Sequence, residues 1–265
     1  NRHRIMTISI TRAQQDQWQQ TGYLKLPGFL TPDETRNLQE WVEEISEWPA
    51  SDDQWMHHFE QTPAGIRLAR TEYLLDFHTG IRSLLTTGKI PEYAGFLMGE
   101  PAVLYKEKIN YKYPGGGGYA PHQDAPAYEF IHNHITCSIA IDAATPENGC
   151  LFFAPDLHRQ GLLHLDEHGC IEPEFALTLN WEPVPMQPGD ALFFSSYAPH
   201  KSPPNKTEQP RRTLYLTYNA LAEGNRREEY YADKRRSLAE IGQTSAEKLQ
   251  ISKIGHFNGK PVERS

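Results

Sequence analysis

His122 and Asp124 stand two residues apart in the stretch Tyr119-Ala-Pro-His-Gln-Asp-Ala-Pro-Ala-Tyr128. On an extended strand, residues i and i+2 point to one face. An imidazole nitrogen and a carboxylate oxygen would then meet at one point. Histidine plus carboxylate makes up two-thirds of the facial triad that holds non-haem iron(II) and leaves coordination positions open. A third ligand fits at His200, which follows the turn and apolar run Pro188-Gly-Asp-Ala-Leu-Phe-Phe-Ser195.

Eleven residues further on, Arg211 opens Arg-Arg-Thr-Leu-Tyr-Leu-Thr-Tyr218. With a period of two, Arg211, Thr213, Tyr215 and Thr217 share one face, and Arg212, Leu214, Leu216 and Tyr218 share the other. A polar face on such a strand suits the lining of a pocket. An arginine pointing into a pocket needs an anion, because a buried lone charge is costly. Its planar fork matches a carboxylate. Iron held by His122, Asp124 and His200 keeps three positions open. A keto-diacid such as 2-oxoglutarate can fill two of them and place its far carboxylate on Arg211, which leaves one for O2.

The elements that must position these residues follow from pattern. Thr11-x-x-Gln14 and Thr31-x-x-Glu34 read as capping boxes, the second with Pro32 at the first helical position. Leu38, Trp41, Val42, Ile45 and Trp48 then fall at helical spacing. Gly22–Leu30 reads as a short strand and turn. Residues 49–65 read as polar and irregular, and Ile81–Met98 as helical with a break over Gly88–Pro91. From Ala102, runs rich in β-branched and aromatic residues alternate with turn residues. They are Val103–Tyr113, Ile135–Ile141, Leu151–Ala154, Ala191–Ser195 and Thr213–Asn219, the pattern of an antiparallel sandwich or barrel. Pro114-Gly-Gly-Gly-Gly118 is a flexible loop placed to rim a pocket. A surface helix is expected near Arg226–Glu240, followed by a peripheral tail. The expected organisation is one domain over 1–265. Residues 1–101 form a mostly helical part packed on the barrel, 102–219 the core, and 220–265 a peripheral segment.

The net charge of −8 over 265 residues argues against nucleic-acid or anionic-membrane partners. It leaves room for a small anion held by local cations. No stretch approaches the ~20 apolar residues of a membrane span. Cys137, Cys150 and Cys170 form no paired framework and suit a reduced, cytoplasmic protein. The first five residues carry no apolar leader, and Met6 reads as the natural start.

On these residues the chain resembles the phytanoyl-CoA dioxygenase-like iron(II)/2-oxoglutarate oxygenases. Gly22-Tyr-Leu-Lys-Leu-Pro-Gly-Phe-Leu-Thr-Pro-Asp33 is similar to the family's N-terminal signature, and His122-Gln-Asp124 to its iron motif. Asp142-Ala-Ala-Thr-Pro-Glu-Asn-Gly-Cys-Leu151 is similar to its acidic-Asn-Gly turn. His200-x-Ser202 and Arg211 resemble its distal ligand and cosubstrate clamp. Ala154-Pro-Asp-Leu-His158 departs from the usual Pro-Gly-Ser-His. The resemblance implies a mainly β fold with flanking helices around a double-stranded β-helix (jelly-roll, cupin-like) core. It implies the cofactors Fe(II), 2-oxoglutarate and O2, and hydroxylation of an unactivated C–H bond with succinate and CO2 as co-products. Asp124 stands where related halogenases lack a carboxylate, which argues against halogenation. The resemblance also places Asn110, Lys112, Thr136 and Ser202 near the cosubstrate. Tyr128, Tyr215 and Gln123 are candidates on the substrate side.

For the substrate, Asn219–Lys234 resembles the branch associated with 2-aminoethylphosphonate hydroxylation. Lys108, Arg67, Arg70 and Arg159 could then serve the anionic group. A natural-product intermediate stays open, and an acyl-CoA lacks an evident basic cluster. Two other readings compete: a cupin-like metalloenzyme without 2-oxoglutarate, for which His132-Asn-His134 offers ligands, and a β-barrel binding protein with structural histidines. Oligomeric state is not legible.

Overall fold

The computed structural model describes residues 8–240. The expectations about Met6 and about a tail over 241–265 lie outside the described residues. In chain order the elements begin with α1 (Arg12–Thr21), β1 (Tyr23–Leu26) and α2 (Pro32–Ser46). Next come β2 (Met56–Thr62), β3 (Gly65–Glu72), α3 (Thr79–Thr86), α4 (Lys89–Met98) and β4 (Ala102–Lys112). Then follow β5 (Tyr119–His122), β6 (His134–Ala140), β7 (Leu151–Phe153), α5 (Pro173–Ala176) and β8 (Glu182–Val184). The chain ends its described part with β9 (Ala191–Ser195), β10 (His200–Ser202), β11 (Arg211–Ala220) and α6 (Arg227–Glu240). Both capping boxes are formed. Thr11 Oγ1 accepts from Gln14 N and Thr31 Oγ1 from Glu34 N, and each N3 side chain returns the bond.

Two antiparallel sheets make the jelly-roll. The larger runs β1-β9-β6-β11-β4-β3-β2 and the smaller β5-β10-β7-β8. The outer face of the large sheet carries Ile109, Tyr111, Ile135, Ile139, Leu214 and Leu216. They pack in one core with Leu38, Val42 and Ile45 of α2 and with Ile81, Ile90 and Leu97 of α3 and α4. This is why residues 214 and 216 alternate as they do: Leu214 and Leu216 meet helices, while the residues between them meet the space between the sheets. Where the sheets close on each other, Phe153, Val184 and Cys150 pack on Leu192, Phe194 and Ala140. No helix among the described residues is long and apolar enough to cross a membrane.

Two expectations need correction. Residues 49–65 are not irregular throughout: β2 and β3 form a hairpin that extends the large sheet beside β4. The period-two signal is missing there because the strands bury polar groups, His57, His58, Arg70 and Glu72, rather than an apolar face. Helix α6 is also not a plain surface helix. It buries Arg227, Tyr230, Tyr231, Lys234 and Leu238, and Arg227 donates from Nε to Glu107 Oε2 at 2.9 Å.

Candidate active site

Antiparallel pairing brings the two histidines together. β10 lies against β5 with His200 opposite His122, and their ring centroids are 4.2 Å apart. His122 Nδ1 is 2.7 Å from the Ala120 carbonyl and His200 Nδ1 is 3.0 Å from the Ala198 carbonyl. Those bonds fix each ring so that Nε2 faces the cavity, the arrangement that orients a metal-binding imidazole. Phe153 and Phe194 pack on the His200 ring at 5.4 and 5.0 Å. Asp124 Oδ1 lies 3.4 Å from His122 Nε2 and 3.5 Å from His200 Nε2. Among the described residues, His122, Asp124 and His200 are the one group of three whose ligand atoms converge in this way.

The convergence arises differently from the sequence expectation. The strand ends at His122, and Asp124 adopts a right-handed helical conformation (φ −79°, ψ −26°) that opens a 3₁₀ turn over Ala125–Ala127. Ala125 N donates to Ser196 O at 2.9 Å and anchors that turn. It is the bend after His122, not strand alternation, that returns the carboxylate to the histidine. All three side chains are buried. Burial alone would raise the Asp124 carboxyl, but His200, the hydrogen bond from His122 and nearby Lys106 outweigh it and hold it well below the usual carboxylate range. Burial, reinforced by His122, lowers His200 to about 4, so its ring is neutral near pH 7. A carboxylate with two imidazoles is a donor set suited to iron(II).

About the clamp, Arg211 is 1% exposed. Its Nη2 donates to the Gly149 carbonyl at 2.6 Å and Nη1 to Thr213 Oγ1 at 2.9 Å. Its buried Nε has no hydrogen-bond partner among the described residues. The Gly149 carbonyl is set by the Asn-Gly turn: Asn148, Gly149 and Cys150 all direct their N–H to Thr145 O. Gly149 adopts φ 96°, and a Cβ there would lie 2.5 Å from Pro203 O and 2.6 Å from Lys112 Cδ. Only glycine fits that approach. Lys112 pairs in register with Arg211, and its ammonium donates to Ser202 Oγ and to Pro203 O, each at 2.7 Å. Burial, and after it Arg211, pulls the Lys112 ammonium well below its ordinary value. Two buried cations around an open guanidinium nitrogen fit the far carboxylate of a diacid. Arg211, Thr213 and Tyr215 line a cleft that meets the metal-side cavity at Leu151 and Tyr215.

The metal-side cavity, of about 30 Å³, is lined by Asp124, His200, Asn110, Thr136, Tyr128 and Tyr215 among others. Thr136 Oγ1 lies 3.4 Å from Asp124 Oδ2 and donates to the carboxylate. Tyr128 hydrogen-bonds to Thr217 at 2.9 Å, and Asn110 accepts from Arg70 Nε at 3.2 Å. Lys108, anticipated for an anion, lines the cavity with its ammonium 5.4 Å from the Tyr215 ring centroid.

Several candidates fall elsewhere. Gln123 is turned away from the cavity: its amide donates to the carbonyls of Gly161 and Tyr197 and accepts from Leu163 N. It secures the loop behind the metal. Arg67 and Arg159 are exposed and line neither cavity. His134 stacks between Tyr128 and Tyr197 and does not join the triad. The sequence reading passed over Lys106, Tyr119 and Tyr230. A signal for the first existed, since Lys106, Lys108, Asn110 and Lys112 alternate along β4 and all face inward.

Comparison with known proteins agrees with this geometry. The family model described as phytanoyl-CoA dioxygenase (PhyH) matches residues 18–213. A methylphosphonate hydroxylase of Gimesia maris is 76% identical over 260 residues, 98% of this chain and 100% of that protein. A 2-aminoethylphosphonate dioxygenase of an uncultured bacterium is 41% identical over 258 residues, 96% of this chain and 98% of that protein. Among solved structures, EctD from S. alaskensis with 2-oxoglutarate and 5-hydroxyectoine superposes with a TM-score of 0.69 at 21% identity. The match covers 83% of this chain and 80% of that one, and it bears on the fold alone. The chain belongs to the phytanoyl-CoA dioxygenase family and is an iron(II)- and 2-oxoglutarate-dependent dioxygenase that uses O2.

Proposed function

We propose that the chain hydroxylates the carbon of a small alkylphosphonate, with methylphosphonate as its substrate. Methylphosphonate, 2-oxoglutarate and O2 would give hydroxymethylphosphonate, succinate and CO2. The observation that carries this is the charge of the cavity. Lys106 and Lys108 line it, and Asp124, itself committed to the triad, is the one acid among the described residues on its wall. A compact dianion is welcome there. The ammonium of an aminoalkylphosphonate would find no spare carboxylate. The 76% identity to the methylphosphonate hydroxylase of Gimesia maris supports the same substrate.

In this reading His122, Asp124 and His200 hold the iron, and Arg211 with Lys112 and Ser202 receives the far carboxylate of 2-oxoglutarate. The bound iron and cosubstrate supply the oxidation of the C–H bond. The protein's share is placement. Cationic side chains hold the anion so that its carbon faces the triad, and Tyr128, Phe194 and Leu151 limit water around it. The three buried free thiols, Cys137, Cys150 and Cys170, support a reducing, cytoplasmic setting.

Succinate formation by the iron-loaded protein, screened against methylphosphonate, 2-aminoethylphosphonate and an acyl-CoA, tests the assignment. Methylphosphonate should give the largest kcat/KM and a hydroxymethylphosphonate product. A stronger response to the aminoalkyl or acyl substrate would refute it.

A further inference from the structure

We propose that Lys106 is the residue that receives the phosphonate oxygens, and that Tyr128 and Tyr230 hold its ammonium in readiness. The inference rests on the phosphonate reading above. β4 points four polar side chains inward, and they differ in what is left to them. Lys112 donates to Ser202 and Pro203. Asn110 accepts from Arg70. Lys108 sits at the ring of Tyr215. Lys106, 5% exposed and aimed into the cavity, makes no hydrogen bond to a described residue. Its ammonium lies 4.8 Å from the ring centroid of Tyr128 and 5.5 Å from that of Tyr230.

Ring faces attract a cation without using its N–H groups. Three donors therefore stay available for an incoming oxyanion. Asp124 and Glu72 favour its charged form, but burial outweighs them and lowers it to about 8, which keeps it charged near neutral pH. A cation that the fold places, orients and leaves without hydrogen bonds is a receptor for an anion. Lys106 also pairs in register with Thr217, whose hydroxyl bonds to Tyr128, so the cage is braced from β11. The second ring comes from α6, and α6 is itself pinned by Lys234 on Glu72 at 2.6 Å. Helix α6 thus reaches Lys106 through Tyr230.

The test uses the full chain with iron, with Lys106→Met to keep the stem and remove the charge, and Lys106→Arg to keep the charge. Methylphosphonate and 2-oxoglutarate dissociation constants are measured without O2, beside steady-state succinate formation and apo-protein melting. Lys106→Met should raise the methylphosphonate constant at least fiftyfold and that of 2-oxoglutarate less than threefold. Its melting temperature should be equal or higher, since burying the charge costs more than Asp124 and Glu72 return. Lys106→Arg should recover part of the loss. Tyr230→Leu should weaken methylphosphonate about five- to tenfold, and Tyr230→Phe, which keeps the ring face, should not. Equal losses for both ligands, or a lower melting temperature for Lys106→Met, would show a structural role and overturn the anchor. Wild-type protein that binds no phosphonate would instead remove the substrate reading on which the anchor stands.

Discussion

Arg211→Ala bears most directly on the cosubstrate site. The guanidinium is 1% exposed, two of its nitrogens are engaged by Gly149 and Thr213, and Nε is open. Removing one partner of a buried, hydrogen-bonded charge pair costs about 2–5 kcal/mol. Lys112 stays in register beside the gap and remains a hydrogen-bond donor there. Its ammonium is tied to Ser202 and Pro203, so it cannot swing over without giving up two bonds. The cost should then fall near the middle of that range, about 3 kcal/mol, or roughly a hundredfold in 2-oxoglutarate affinity. Removing Arg211 also relieves the repulsion that depresses Lys112, which works against a larger loss. Arg211→Lys keeps charge without the planar fork and should lose about tenfold.

The assay is succinate formation against 2-oxoglutarate at saturating methylphosphonate, with the dissociation constant measured separately without O2, because KM equals Kd only when chemistry is slow. Gly149 O and Thr213 Oγ1 lose their donor, so melting temperatures are compared to separate a folding defect from a binding defect. A 2-oxoglutarate constant within threefold of wild type in a folded Arg211→Ala protein would refute the clamp.

Asp124→Ala leaves two imidazoles and no anion at the triad. Bound iron after desalting, measured by metal analysis, should fall at least tenfold together with turnover, and full iron occupancy would count against Asp124 as a ligand. Lys234→Met strips Glu72 of its closest cation, at 2.6 Å, while His58 lies 2.9 Å away. With Arg70 still near that carboxylate, the cost should be about 2–3 kcal/mol, a fall of roughly 4–12 °C in melting temperature; an unchanged melting curve would show that the pair contributes nothing. Acid should weaken the fold through His58. Burial lowers its ring to about 4 from an ordinary 6.5, so the unfolded chain takes up the proton first as pH falls. Stability is then fully present above about pH 6.5 and lost between 6.5 and 4, by about 2 kcal/mol at pH 5. His58→Phe should flatten that decline in urea titrations at pH 7 and 5, and an identical slope would remove His58 as its source.

The metal triad was legible, and Arg211 noticeable, because their chemistry restricts residue type. Few side chains bind iron or fork around a carboxylate, so His122, Asp124, His200 and Arg211 stand out in a linear reading. β11 was legible for a different reason. One of its faces meets helices through Leu214, Leu216 and Tyr218, each fully buried, and the other lines a cavity, so the alternation is complete. Gln123 was misread because sequence adjacency to two ligands says nothing of direction once the strand ends at His122. Part of the cavity wall was hidden. Lys106 and Tyr119 are residue types that surfaces and cores use freely, and they come from β4 and β5, on either side of the glycine loop. α6 shows no apolar stripe because its buried face is Arg227, Tyr230, Tyr231 and Lys234.

Several residues of β3, β4 and α6 carry buried charge. Arg70, Glu72, Lys106, Lys108 and Lys234 are all under a tenth exposed, and a fold selected for stability alone would do better with hydrophobic residues of similar volume. Glu72 with Lys234 and His58 compensates part of that charge within the protein. For Lys106, burial outweighs the pull of Asp124 and Glu72. The positions where a charge appears wasted in the ligand-free chain are thus the positions where substrate recognition should be sought. Substitutions that make Lys106 apolar should stabilise the apo-protein while weakening the complex with methylphosphonate. That opposition of sign separates a binding residue from a structural one, since a structural charge would lose on both counts.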